Sequence, residues 1–186
     1  MPEGRRPDER RVALLRGINV GRAKRIAMAD LRALVASLGF ADVRTLLNSG
    51  NVVYRAAGVA PVDAAVRLER AIASTLGVAS RVTALTAAEL DAIVAANPWP
   101  EVPDASRLLV TFVTDPADRI RIEPLAAQAW GSERLALGPR SAYAWCPDGV
   151  LASRLSDAMA KALRDGATAR NWATVRKLHA LATADA

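Results

Sequence analysis

The sequence predicts an α+β protein made of two ferredoxin-like half-domains, with mainly antiparallel sheets and a C-terminal helix. Three observations carry that reading. The first half runs strand, helix, strand, strand, helix, strand, which is the split βαβ order. The stretch "NPWPEVPD" then breaks the chain with three prolines in six residues. Beyond it, the order strand, helix, strand, strand, helix returns.

Taking the elements in order, Val12 to Arg16 reads as a buried strand, followed by a loop with two glycines and three basic residues. Leu31, Leu34, Val35 and Leu38 share one face of the next helix, and Gly39 stops it in the left-handed conformation. Val43 to Leu47 and Val52 to Arg55 flank "NSGN", a hairpin signal. Pro61 opens a second helix whose stripe is Val62, Ala65, Val66, Ile72, Ala73 and Leu76, ending at Gly77. Arg81 to Leu85 is a strand, and Thr86 with Glu89 forms a capping box for a short helix carrying Leu90, Ile93 and Val94.

In the second half, "SRLLVTFVT" is a near-continuous apolar strand, and Asp115-Pro116 is placed as a cap and first turn. A helix interrupted at Pro124 ends near Trp130. Arg134 to Leu137 and Ala142 to Trp145 flank Gly138-Pro139-Arg140 as a second hairpin, and Val150 to Leu163 is helical with Leu151, Leu155 and Ala158 or Met159 inward. A last helix over 171–181 is expected in place of a final strand. The expected organisation is a disordered basic arm over 1–10, a first half-domain over 11–97, and a second over 105–186 with the C-terminal helix.

Composition narrows the classes. With 186 residues and 52% hydrophobic content, the chain is long enough to bury a core. No apolar run reaches the roughly 18–20 residues of a membrane span, and "MPEGRRPDERR" lacks the apolar stretch of a signal sequence, so a cytoplasmic location without membrane contact is expected. The single Cys146 cannot form an internal disulfide, in keeping with a reducing compartment. The net charge of +6 is concentrated: residues 1–25 carry eight basic side chains against three acidic ones, while the rest is nearly neutral at 17 against 16. Arginine outnumbers lysine 22 to 3, a bias that raises the pI without implying a partner.

Five segments in order, "LLRGINVG" with "MADLRAL", then "SGNVVYR", "NPWP", "WCPDG" and "TARNWATVRKL", resemble the bacterial family catalogued as domain of unknown function 1697. The resemblance spans about Val12 to Leu181 and implies a duplicated ferredoxin-like fold; it implies no activity. Arg22 stands where that pattern has a second glycine, which makes this first loop stiffer and more basic.

Motif by motif, the first loop is neither of the standard phosphate cradles. A Walker A loop needs four residues between its glycines and then Lys followed by Ser or Thr; here three separate Gly17 from Gly21, and Lys24 is followed by Arg25. "GINVGR" also lacks the G-x-G spacing of a Rossmann turn. What remains is a donor-rich, positively charged loop leading into a helix start, with Arg16, Asn19, Gly21, Lys24 and Arg25 as candidate ligand contacts. The plainer alternative is a strand-to-helix connector with solvated basic residues. "NSGN" is explained by turn geometry, and the first loop and this hairpin are expected at opposite ends of the sheet.

In "GATARNWATVRKL", Thr168 and Asn171 are expected to cap the last helix, with Arg170 beside its positive end as an anion hook and Lys177 two turns along. Arg170 and Asn171 therefore join the candidate contacts; Trp172, Val175 and Leu178 would dock the helix. His179 has no acidic neighbour at i±3 or i±4, Cys146 has no evident base, and no metal-ligand grouping or cofactor is implied.

These features favour a binding module for a phosphate-bearing small molecule or a nucleic-acid backbone. Base-stacking recognition is disfavoured because "VALLR" has no aromatic and the third strand has only Tyr54. The alternatives are a metal-dependent phosphoryl or nucleotidyl transferase, which would need carboxylates such as Asp30, Asp42 and Asp63, and a homodimer formed through a sheet edge. No catalytic constellation decides whether the protein is an enzyme.

Overall fold

The structure, a computed structural model, describes residues 9–184. Of the expected basic arm, residues 1–8 lie outside the described residues, and Arg10 opens the first strand. Two compact units divide the chain between Leu90 and Asp91, and the residues from Leu178 onward group with the first unit.

The first unit contains β1 (Arg10–Leu15), α1 (Met28–Ser37), β2 (Ala41–Leu46), β3 (Asn51–Arg55), α2 (Pro61–Leu76) and β4 (Val82–Thr86). Its sheet has the order β2-β3-β1-β4 with every pair antiparallel, the ferredoxin-like order. Alternation along the strands sends Ala13, Leu15, Val52, Tyr54, Val82 and Ala84 to one face, where Leu31, Leu34 and Val35 of α1 and Ala64, Leu68 and Ile72 of α2 pack on them. Each fully buried Leu or Ile contributes about 1.5–3 kcal/mol. The stripe expected on α2 is rotated: Val62 and Val66 are exposed, and Ala64 and Leu68 take the inner face. Small Ala64 and Ala65 let the helix approach the sheet closely, a packing preference that outweighs the hydrophobicity of the valines. Glu69 secures α2 to β4, accepting from Val82 N–H at 2.8 Å and from Arg81 Nη1 at 3.0 Å.

α3 (Ala87–Ala95) begins directly after β4, and its capping box forms as the sequence predicts: Glu89 N–H donates to Thr86 Oγ1 at 3.0 Å, and Thr86 N–H donates to Glu89 Oε2 at 2.8 Å.

The second unit carries β5 (Leu108–Val113), a 3-10 turn over Pro116–Arg121, α4 (Glu123–Ala126), β6 (Arg134–Leu137), β7 (Ser141–Trp145), α5 (Arg154–Leu163), β8 (Ala167–Asn171) and α6 (Trp172–Thr183). Its antiparallel sheet has the order β6-β7-β5-β8, the same arrangement as the first. Val113, Ala142, Ala144 and Ala167 meet Leu155, Met159 and Leu163 of α5 in a second core. Asp115 caps the 3-10 turn through Ala117 N–H at 2.9 Å, as its sequence position suggests.

Two expectations fail in this unit. The final strand is present: residues 167–171 pair with β5 from Val113↔Ala167 to Leu109↔Asn171. "ATARN" has no apolar run to announce a strand, and its pairing with β5 outweighs weak local propensity. Leu151 is fully exposed and not inward, because Val150–Ala152 is a separate 3-10 turn and α5 starts only after Ser153, whose Oγ accepts from Ser156 N–H at 2.9 Å.

Candidate functional site

The loop after β1 runs for twelve residues, Arg16 to Ala27, before α1 begins. It does not lie at the far end of the sheet from the β2–β3 hairpin. In a split βαβ unit the first and second strands point the same way, so this loop and the hairpin leave the sheet at one end. Gly50 of the hairpin seals the approach: its carbonyl accepts from Leu15 N–H at 2.8 Å. A Cβ at Gly50 would sit 2.7 Å from Leu15 Cβ and 2.8 Å from Ile18 Cδ1, and its φ of +78° is itself a glycine conformation.

Asn19 is the clamp within the loop. Its Oδ1 accepts from Ile26 N–H at 2.9 Å, while Nδ2 donates to the Ile26 carbonyl at 2.9 Å and to the Asn48 carbonyl at 2.7 Å. Its own N–H donates to the Lys24 carbonyl at 3.0 Å. Both amide hydrogens of the side chain are therefore committed to carbonyls. Asn19 shapes the loop and joins it to the hairpin, leaving no side-chain donor for an anion.

Between these parts lies an open cavity of about 400 Å³ lined by Asn19, Arg25, Ile26, Ala27, Met28 and Asn48. The start of α1 borders it. Ala27 occupies the N-cap in extended conformation and provides no side-chain cap, so the first-turn amides lack the partner that Thr86, Ser153 and Asn171 supply to α3, α5 and α6. Arg25 lines the cavity and is exposed; Lys24 is exposed beside it; Asp30 adds one negative charge in the first helical turn. The backbone is unusual here. Asn19, Lys24 and Leu47 all have positive φ, +55°, +51° and +57°, a conformation that non-glycine residues hold only when surrounding contacts enforce it. Val20 and Leu47, the chain neighbours of Asn19 and Asn48, are both exposed.

The other expected contacts are distributed differently. Gly21 is exposed with φ +61° and gives the loop its turn. Arg16 is half-buried, and its backbone is fixed by Arg81 and by Ser80 Oγ, which donates to the Arg16 carbonyl at 3.0 Å. Arg170 and Asn171 belong to the second unit. Arg170 lies within β8, opposite Val110, with its guanidinium pushed down to about 10 by burial and Nη1 donating to the Ala169 carbonyl at 2.8 Å. It is a strand residue that stands two positions before α6 begins. Asn171 does cap α6, accepting from Thr174 N–H at 2.9 Å, whereas Thr168 is buried within β8. Trp172 is buried and donates from Nε1 to the Pro100 carbonyl at 2.9 Å.

The remaining chemical candidates are placed as follows. Asp42 faces Arg10, Arg44 and Arg55 at 3.5, 3.1 and 3.7 Å, and Asp30 and Asp63 sit in the first turns of α1 and α2. No group of three or more His, Cys, Asp and Glu gathers among the described residues. Cys146 is buried, and that burial pushes its thiol up, with Ser153 partly opposing and Glu133 adding to the shift. His179 is half-buried in α6. Tyr54 is wholly buried under the helices, so its ring is closed to a stacking base.

In the second unit the equivalent connection is much shorter. Only Thr114 and Asp115 follow β5 before the 3-10 turn, and Arg140 of the hairpin closes the gap, donating from Nε to the Val113 carbonyl at 3.3 Å and from Nη2 to the Thr114 carbonyl at 3.1 Å. Asn48, Ile26, Ala27 and Met28 are the lining residues that sequence reasoning missed. The signal for them was topological: the parallel direction of the first two strands.

Among solved structures, the chain is similar to a conserved bacterial protein from Streptococcus pneumoniae, with a TM-score of 0.78 at 22% identity, covering 94% of this chain and 99% of that one. No curated protein matches. No helix among the described residues is long and apolar enough to cross a membrane. A family model described as "Protein of unknown function (DUF1697)" matches residues 9–143, from the start of β1 into β7, so that the two later segments behind the resemblance, "WCPDG" and "TARNWATVRKL", fall beyond the matched span. With about three-quarters of its length matched, the chain belongs to the DUF1697 family.

Proposed function

We propose that this protein is a binding module for an anionic, phosphate-bearing ligand or a nucleic-acid backbone, held at the first loop. The observation that carries the reading is the open cavity at the uncapped start of α1, with Arg25 in its wall and Lys24 beside it. Uncapped first-turn amides and a helix dipole favour an anion there, and a nearby guanidinium supplies the charge-assisted partner. The unequal connections of the two units support it: one sheet keeps a twelve-residue loop after its first strand, the other only two residues, bridged by Arg140. In this reading Arg25, Lys24 and the α1 amides contact the ligand, and Asn19 and Gly21 set the loop. Arg16 adds charge, while Arg170 and Asn171 are structural. The cytoplasm is the proposed compartment, on the strength of a single, buried thiol.

The test is a thermal-shift series with inorganic phosphate, a mononucleotide and a short oligonucleotide, for wild type and for Lys24→Ala combined with Arg25→Ala, at low salt and at several hundred millimolar. Wild type should be stabilised at low salt by mass action, and the double variant should lose most of the shift. An equal shift in both proteins would remove the loop from consideration; no shift with any anion would leave it a connector.

A further inference from the structure

Five buried side-chain nitrogen and oxygen atoms lack a hydrogen-bond partner among the described residues, and all belong to Arg10, Arg11 and Tyr54: Arg10 Nε and Nη2, Arg11 Nε and Nη1, and Tyr54 Oη. Orphaned buried polar atoms are rare in folded proteins, and their concentration in three residues requires a cause. Arg10 and Arg11 are consecutive in β1, so they point to opposite faces of the sheet. The charge of Arg10 is balanced, although its Nε stays without a partner. Its Nη2 is 3.5 Å from Asp42 Oδ2, and its Nη1 donates to the carbonyls of Leu181 and Ala184 at the end of α6. Arg11 Nε and Nη1 have no hydrogen-bond partner among the described residues, yet Arg11 is only 7% exposed.

Arg11 shares the helix-covered face with Ala13 and Leu15 and lies directly opposite Tyr54 in the β1–β3 register. Side chains in that relation have Cβ atoms about 5 Å apart. On its other side Arg11 meets Thr86, whose hydroxyl already accepts from Glu89 N–H. The guanidinium nitrogens are donors only, and the phenol needs an acceptor for its proton. Two guanidinium donors and a phenol thus stand as neighbours with no hydrogen-bond partner, around a positive charge that is expensive to bury unpaired. A single water would accept from two of them and bring two more hydrogens of its own. An oxyanion accepts from all three and cancels the charge.

We propose that Arg11 and Tyr54 form a second anion site at the foot of the first sheet, taking a small oxyanion, a carboxylate or a phosphate. The site is separate from the loop cavity: it lies at the Arg11 end of β1, whereas the loop leaves from Leu15. Nε–H and Nη1–H of Arg11 and the Tyr54 hydroxyl donate to the anion.

The experiment uses the full chain carrying Lys24→Ala and Arg25→Ala, so that the loop does not contribute. The Arg11 Nε–H resonance, identified by its disappearance in Arg11→Met, is followed by NMR during titration with inorganic phosphate and, separately, with acetate. The expected result is a saturable shift with at least one of them, the responding anion identifying the oxyanion class, and a several-fold weaker response in Tyr54→Phe, which keeps the ring and removes only the hydroxyl. In anion-free buffer Arg11→Met should melt at or above the unsubstituted protein, because an unpaired buried charge is gone, and phosphate or acetate should no longer raise its Tm. No shift with either anion, or a shift unchanged by Tyr54→Phe, overturns the proposal. So does an Arg11→Met protein that melts well below its parent without anion, since the guanidinium would then stabilise the fold by itself. If Arg11→Met does not fold, the Tyr54→Phe titration decides alone, with Arg11→Lys used to identify the resonance.

Discussion

Gly50 and Tyr54, four residues apart on one strand and its turn, define two ends of the first sheet. At Gly50 a side chain would meet Leu15 Cβ at 2.7 Å with φ at +78°, and Leu15 has no freedom to retreat because it is fully buried. Gly50→Ala should destabilise the protein by about 2–4 kcal/mol, the sum of left-handed strain and overpacking. Gly17→Ala, with φ +63° and nothing within 4 Å, should be milder, about 1–2 kcal/mol. Urea unfolding of the two variants measures the difference. At Tyr54, burial pushes the phenol up to about 12 from an ordinary 10, with Arg11 pulling it partly back. Between those values the unfolded chain gives up a proton that the folded chain keeps, so stability should fall by about 1.4 kcal/mol per pH unit in that window. Tyr143, also pushed up by burial, adds to the same trend. Tyr54→Phe should therefore show a flatter loss of stability between about pH 10 and pH 12, read from urea midpoints.

Among the elements, α1, like α2, starts without a side-chain cap, and its start borders the cavity. Its first turn nevertheless carries Asp30, a built-in negative charge near amides that would otherwise attract an anion. If the cavity binds anions as proposed, Asp30→Asn should tighten phosphate binding about 2- to 5-fold, equivalent to the 0.3–1 kcal/mol of one dipole interaction, while weakening the unliganded helix by a similar amount. Isothermal titration with phosphate, together with thermal melting without it, checks both signs; weaker binding in Asp30→Asn would mean that the ligand does not sit at this helix start. The other helix ends show why they were legible beforehand. Thr86 with Glu89 and Asn171 with Thr174 are sequence-local partners three residues apart, and local partners can be read from spacing. α2 shows the opposite case: its Val62 and Val66 follow helical spacing yet face outward, because small Ala64 and Ala65 suit close approach to the sheet.

For the whole molecule, the strand and helix order, both hairpins and the repeated βαββ plan are visible in the sequence, because hydrophobic periodicity, Gly and Pro positions and capping residues are local properties. The family resemblance was legible for the same reason, being carried by short contiguous motifs. Arg25 and Lys24 could be named as candidates, since charge next to a predicted helix start is also local. Tertiary structure decided the rest. Whether "ATARN" became a strand depended on β5 offering an edge. Asn48 joined the first loop only through a carbonyl reached by Asn19 from 29 residues away, a contact no spacing rule announces. Arg170 became a half-buried strand residue because pairing with Val110 placed it there. Arg10 and Arg11 looked alike as neighbours in a basic stretch, yet strand alternation sent one to a carboxylate and the other into a core without an acceptor. The sequence by itself determined the elements and their kind, through interactions between residues a few positions apart; which side chains meet, and which polar atoms are left without partners, depended on the burial and long-range pairing that only the folded sheet imposes.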